Sequence, residues 1–319
     1  MFFDNAPERR GFKKSGHGVR CFSHFILGKR IMKLGVTGFS KKIGDTDYDG
    51  WARFLEEMKG IGADHVQFLS PPEDSIARRL GAMAAAQGLT ASTLWVTFHP
   101  VCPCEDAETA FNQAKMAIDR GRIIAGDENP NLVFSPSVFR GLCDPNHGLP
   151  GADDGARQAE FVARVAEYAR TIPGTKIGAE PINRFETRGP NTLYGAANVI
   201  EAAKAGNVFG LLPDSCHQGL ASRPIFRSWS QYAEMILAIH ASSFSRGLLA
   251  PDGDIMGHSF TMAARDRYMA NVLLITECFC TETDPGFFGP LYVHEPVNMS
   301  AIDLFRQNLE YLRRLTTNL

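Results

Sequence analysis

Four apolar runs in the second half of the chain each stop on a residue able to hold a metal: "TKIGAE" on Glu180, "VFGLLPD" on Asp214, "MILAIH" on His240 and "VLLITE" on Glu277. The separations are 34, 26 and 37 residues, each about one strand-helix unit. Three carboxylates and an imidazole gathered at one place repel one another and are costly to desolvate unless a cation sits among them. An oxygen-rich set with one nitrogen suits a single hard divalent ion, Mn²⁺ first with Mg²⁺ or Co²⁺ as alternatives; a cysteine-rich set would have pointed to zinc. Taken alone, each of the four reads more simply as a helix cap or an ion-pair partner, because strand ends collect polar residues. The weight lies in four successive runs ending this way.

Three further polar residues follow these ends closely. Glu186 comes six residues after Glu180, His217 three after Asp214 and Arg246 six after His240. A carboxylate, an imidazole and a guanidinium on loops above a metal would hold a hydroxyl-rich substrate. The plainer readings are a surface cation for Arg246 and a capping or packing role for His217.

The elements that must position these residues follow from periodicity. Strand-like runs are Leu34–Phe39, His65–Leu69, Leu89–Val96, Asn131–Ser135, Lys176–Ala179, Val208–Leu212, Met235–Ile239 and Val272–Thr276. Between them lie amphipathic stretches such as "DGWARFLEEMKGIG", "AETAFNQAKMAIDRGRIIAG" and "ARQAEFVARVAEYAR", several closed by glycine as helix ends often are. Continuous apolar strands alternating with helices predict a parallel sheet covered by helices, and eight of them predict an α/β fold of the (β/α)₈ barrel type over residues 32–319. A doubly wound sheet would carry a glycine-rich phosphate loop after its first strand; "GFSKKIGDTD" has no such spacing. In a barrel, all four strand ends emerge at the carboxyl rim, where barrel enzymes place their chemistry.

"AEPINRFET", "LLPDSCH", "IHASSFSR" and "ITECF" resemble the ketose 3-epimerases of the D-tagatose/D-psicose type, within the xylose-isomerase-like superfamily of sugar isomerases and epimerases. The resemblance spans about residues 32–319 and is most specific in the second half. It implies that Glu180, Asp214, His240 and Glu277 ligate the metal. It also implies that Glu180 and Glu277 act as acid and base on opposite faces of the sugar, inverting C3 through a cis-enediolate, and that Glu186, His217 and Arg246 hold the substrate. The same metal set would serve an aldose–ketose isomerase of the hydroxypyruvate isomerase type, an inosose-type dehydratase, or a barrel that binds sugar without turning it over. Gln67 in "HVQFLSPP" departs from the glutamate that related sequences often carry there. In "TLWVTFHP", Trp95, Phe98 and His99 could wall a sugar face, although a strand tryptophan more often packs in the core. Arg184 and Arg188 leave a sugar phosphate open.

Composition sets outer bounds. The chain has 319 residues, 44% hydrophobic and 21% charged, with net charge −2, which disfavours a nucleic-acid partner. Metal-dependent endonucleases of abasic DNA share such barrels, but need several zinc ions and more histidines on the early strands. No apolar run is long enough to span a membrane. The seven cysteines are scattered, and the pairs Cys102-Pro-Cys104 and Cys278-Phe-Cys280 lack zinc or redox spacing, which fits a reducing, cytoplasmic setting. Residues 1–31 hold seven Lys or Arg against two acids and no periodicity, so they read as a disordered extension. Barrels of this kind associate through outer helices, and a dimer or tetramer is expected by analogy.

Overall fold

The computed structural model describes residues 32–38, 43–142, 154–221, 225–249, 253–266, 268–280, 282 and 297–317. The extension expected over residues 1–31 lies outside them, as do Phe39 and Cys143. Eight strands alternate with helices: β1 (Leu34–Thr37), α1 (Tyr48–Gly60), β2 (His65–Leu69), α2 (Asp74–Ala86), β3 (Thr90–Leu94), α3 (Ala107–Ala125), β4 (Asn131–Ser135), α4 (Asp154–Arg170), β5 (Thr175–Ala179), α5 (Leu193–Ala202), β6 (Phe209–Leu211), α6 (Ser215–Ala221), α7 (Ile225–Gln231), β7 (Ala238–Ala241), α8 (Gly253–Arg265), β8 (Leu273–Thr276) and α9 (Ala301–Thr317). All ladders are parallel, in the order β6-β5-β4-β3-β2-β1-β8-β7. Two isolated bridges, Leu211 to Ile236 and Asp214 to His240, join the remaining seam between β6 and β7. The barrel predicted from periodicity is therefore present.

Alternation within each strand divides the core in two. Side chains facing the axis include Leu94, Phe134, Leu212, Ala238, Leu273 and Ile275, which plug the barrel floor. Outward residues such as Val36, Val66, Val133 and Ile177 join the larger core beneath the helices. Phe134 can lie across the axis because Gly178 beside it has no Cβ; a methyl there would run into the Phe134 ring. Helix starts are marked by side chains that accept orphan N–H groups: Asp47 from Gly50, Asp106 from Thr109 and Thr192 from Gly195.

One strand begins later than its apolar run suggests. β7 starts at Ala238 rather than Met235, because Ala233–Met235 forms a 3₁₀ turn in which Met235 N–H donates to Tyr232 O at 2.8 Å. The turn consumes the start of the run, and the strand continues through His240 to Ala241.

Candidate active site

Sheet hydrogen bonds fix the four strand-end residues. Glu180 N–H donates to Ser135 O (2.9 Å), His240 N–H to Pro213 O (3.0 Å) and Glu277 N–H to Ala241 O (3.1 Å), while Asp214 bridges His240. Each backbone is held by the neighbouring strand, so its side chain emerges over the plugged floor. Glu180, Asp214, His240 and Glu277 are all buried, and one ligand atom from each lies within 4.8 Å of the others. His240 Nδ1 is 3.3 Å from Glu180 Oε1 and 2.8 Å from Glu277 Oε2.

The electrostatics of this cluster call for positive charge. Burial raises Glu180 to about 7, with His240 opposing the rise. For His240 burial works against protonation, but Glu180 and Glu277 outweigh it and raise the imidazole to about 10. Burial likewise opposes the Asp214 charge, yet Arg246, His217 and His240 hold its carboxyl well below the usual range. His240 Nε2 is buried without a hydrogen-bond partner. Three buried acids around one imidazole whose Nε2 is left unpaired are a donor set that fits a divalent cation.

The three loop residues arrive at the same place. Arg246 Nη1 donates to Asp214 Oδ2 at 2.7 Å and lies 3.4 Å from Glu277 Oε2, while Nη2 is 2.9 Å from His217 Nε2. An arginine can only donate, which makes Nε2 the acceptor and leaves the ring proton of His217 on Nδ1. Burial, with Arg246 and His240, keeps His217 neutral at about 3 against the pull of Asp214. Glu186 lies 3.5 Å from His217 Nδ1, takes a 2.7 Å hydrogen bond from Asn183 Nδ2, and is raised by burial to about 8. Arg246 has φ +59°, a left-handed backbone uncommon for a long side chain, within a turn closed by its N–H on Ser243 O. That turn aims the guanidinium inward.

Glu180, Glu186, His217, Arg246 and Glu277 line one wall of a cavity of about 440 Å³. Trp95 and Phe98 line it as the sequence suggested, and Trp95 is buried and also packs on Phe161. His99 instead pairs with Glu105 at 2.8 Å. Arg184 and Arg188 do not line the cavity, and Gln67 is buried in the barrel below it.

The family model described as xylose isomerase-like TIM barrel matches residues 55–315. The chain belongs to this family. No curated protein is significantly similar to this xylose isomerase-like barrel in sequence. Solved structures with the same fold include an L-ribulose 3-epimerase, with TM-score 0.78 and 18% identity over 90% of this chain and 95% of that one. D-allulose 3-epimerase from Methylomonas sp., in complex with D-allulose, gives 0.76 and 17% over 89% and 97%. D-psicose 3-epimerase from Clostridium cellulolyticum H10, with D-tagatose, gives 0.68 and 17% over 90% and 96%.

Two supporting residues were given no role by the sequence reading. Ser242 receives a hydrogen bond from Arg246 Nη1 (2.9 Å), and its own hydroxyl reaches Asp214 Oδ2 and Glu277 O, each at 2.9 Å. Asn183 Nδ2 donates to Glu186 and lies 2.8 Å from His217 Nδ1. A serine two residues past a strand-end histidine carries no distinctive signal. Asn183 had one, its place between Glu180 and Glu186 in a run that turns abruptly polar.

Proposed function

We propose that this barrel is a divalent-metal-dependent ketose 3-epimerase, an isomerase that inverts C3 of a ketose by removing and returning a proton. The observation that carries the reading is the convergence of two glutamates, Glu180 and Glu277, with Asp214 and His240 in one buried cluster at the barrel mouth. The similarity of the fold to ketose 3-epimerases supports it.

Glu180, Asp214, His240 and Glu277 would hold the ion, with Mn²⁺ first because three oxygens and one nitrogen form the set. When bound, the ion would act as a Lewis acid toward the ketone and neighbouring hydroxyl oxygens of the sugar. Glu180 and Glu277 reach the cluster from β5 and β8, with His240 between them. One takes the C3 proton and the other supplies a proton to the opposite face, since a single group cannot serve both faces of a planar enediolate. Each turnover leaves the pair with its proton exchanged, so the reverse reaction uses the reverse assignment. Arg246 and neutral His217 stabilise negative charge on the sugar oxygens, and Glu186, held by Asn183, orients a hydroxyl.

The test is a panel of ketoses incubated with the Mn²⁺-loaded protein in heavy water. Deuterium at C3 together with the C3 epimer is the expected result. An aldose product would assign the site to an isomerase instead, loss of water to a dehydratase, and binding without exchange to a sugar-binding barrel.

A further inference from the structure

The cavity is chemically divided. Its polar wall is the cluster contributed by β5–β8 and their loops; its other wall, from the β2 and β3 ends and α3, is mostly apolar, with Ser70, Gln113 and Arg120 as its polar members. Leu69, Phe98 and Met116 lie there, exposed at 47%, 42% and 43%. They are three of the seven large hydrophobics exposed among the described residues, and all three face one cavity. Scattered exposed apolar residues need no explanation, but a cluster beside a polar reaction centre does. The cavity also leaves the barrel axis: Gln113, Met116 and Arg120, spaced three and four apart on α3, form a single lining stripe.

The far arm is no anion site. Arg120, the cation that lines it, donates through Nη1 to Pro71 O (2.7 Å) and through Nε to Asp74 Oδ1 (3.4 Å). For the outer hydroxyls of a free sugar the arm offers only Ser70 and Gln113 against Leu69, Phe98 and Met116, so most of them would lose water without gaining partners.

We propose that the substrate is a ketose whose end remote from C3 carries an apolar substituent, an alkyl or aryl group, seated between Leu69, Phe98 and the Met116 stripe of α3. This inference rests on the epimerase reading for the sugar end of the molecule. Such a substrate bridges the two walls: hydroxyls at Glu180, His217 and Arg246, hydrocarbon along the arm.

The probes are one ketohexose, its 6-deoxy analogue and its 6-O-benzyl ether, given to the full-length Mn²⁺-loaded protein. Two readouts are taken, deuterium exchange at C3 and calorimetric binding. The expected result is kcat/KM rising along the series, by about tenfold or more for the benzyl ether, mostly through KM. Its binding also shows the more negative heat-capacity change. Met116→Glu, on an exposed helical position, should bring the benzyl-to-free ratio toward unity. A ratio at or below unity in the unaltered protein, with C3 exchange intact, overturns this inference and leaves the epimerase reading standing. Equal losses on both sugars in Met116→Glu also overturn it. Absence of C3 exchange with all probes, while the benzyl ether still binds more tightly, refutes the epimerase chemistry and upholds the apolar arm. Absence of both refutes both.

Discussion

In the proposed function Glu180 and Glu277 carry two burdens, each holding a cation and moving a proton. Glutamine keeps the volume and one oxygen donor of each but cannot take up the C3 proton. Glu180→Gln and Glu277→Gln should each lower C3 exchange by about 10²–10⁴-fold or more in protein saturated with metal. Full exchange in either variant would remove that residue from the chemistry. Ser242 acts through others: its hydroxyl links Arg246 to Asp214 and to the Glu277 backbone. Ser242→Ala should weaken metal binding by about 10–100-fold, with fluorescence or calorimetric titration as the measure. The four clustered residues were legible because each ends an apolar run at a spacing the barrel repeats. Ser242 was not, because a hydroxyl that tunes a ligand leaves no periodic trace.

At the scale of elements, β2 and β3 hold a buried polar pair inside the barrel wall. The ring nitrogens of His65 lie 2.9 Å from Thr90 Oγ1 and 2.8 Å from Ser92 Oγ. Burial, with a smaller push from Lys33, lowers His65 to about 3, so the folded protein keeps it neutral. An unfolded imidazole takes a proton near its ordinary 6.5. Between those values the unfolded chain binds a proton that the folded chain refuses. Stability from this residue is therefore complete above 6.5 and falls as the pH drops, by about 1.4 kcal/mol per pH unit. Urea unfolding of the native protein and His65→Gln from pH 7 to 4 should show the native advantage shrinking as acid is added; a constant difference would contradict this. The strands were readable from continuous apolar runs: β2 and β4 match that reading fully, and five of the other six begin or end within one residue of it. β7 slipped because a 3₁₀ turn and a strand both accept "AEMIL". The α3 stripe escaped because Met116 on an amphipathic helix reads as core until the neighbouring loops are placed.

Across the whole molecule, the seam between β6 and β7 has only two bridges among the described residues, and one of them joins Asp214 to His240. Two of the four proposed ligands thus face each other across the least-paired junction of the barrel. A cation there would couple binding to closure, and binding to the folded state alone stabilises by mass action. Chelation should lower the melting temperature, and added Mn²⁺ should restore it in a concentration-dependent way; no change in either direction would place the ion elsewhere. Among the described residues no helix is long and apolar enough to cross a membrane. The most direct measurement is the number of Mn²⁺ ions bound per chain, counted by electron paramagnetic resonance on the full-length protein and on Glu277→Ala shown by circular dichroism to be folded. The account predicts one ion per chain, with affinity at least about tenfold weaker in the variant. A protein that takes up no Mn²⁺, Mg²⁺ or Co²⁺, or that binds equally well without the Glu277 carboxylate, contradicts it.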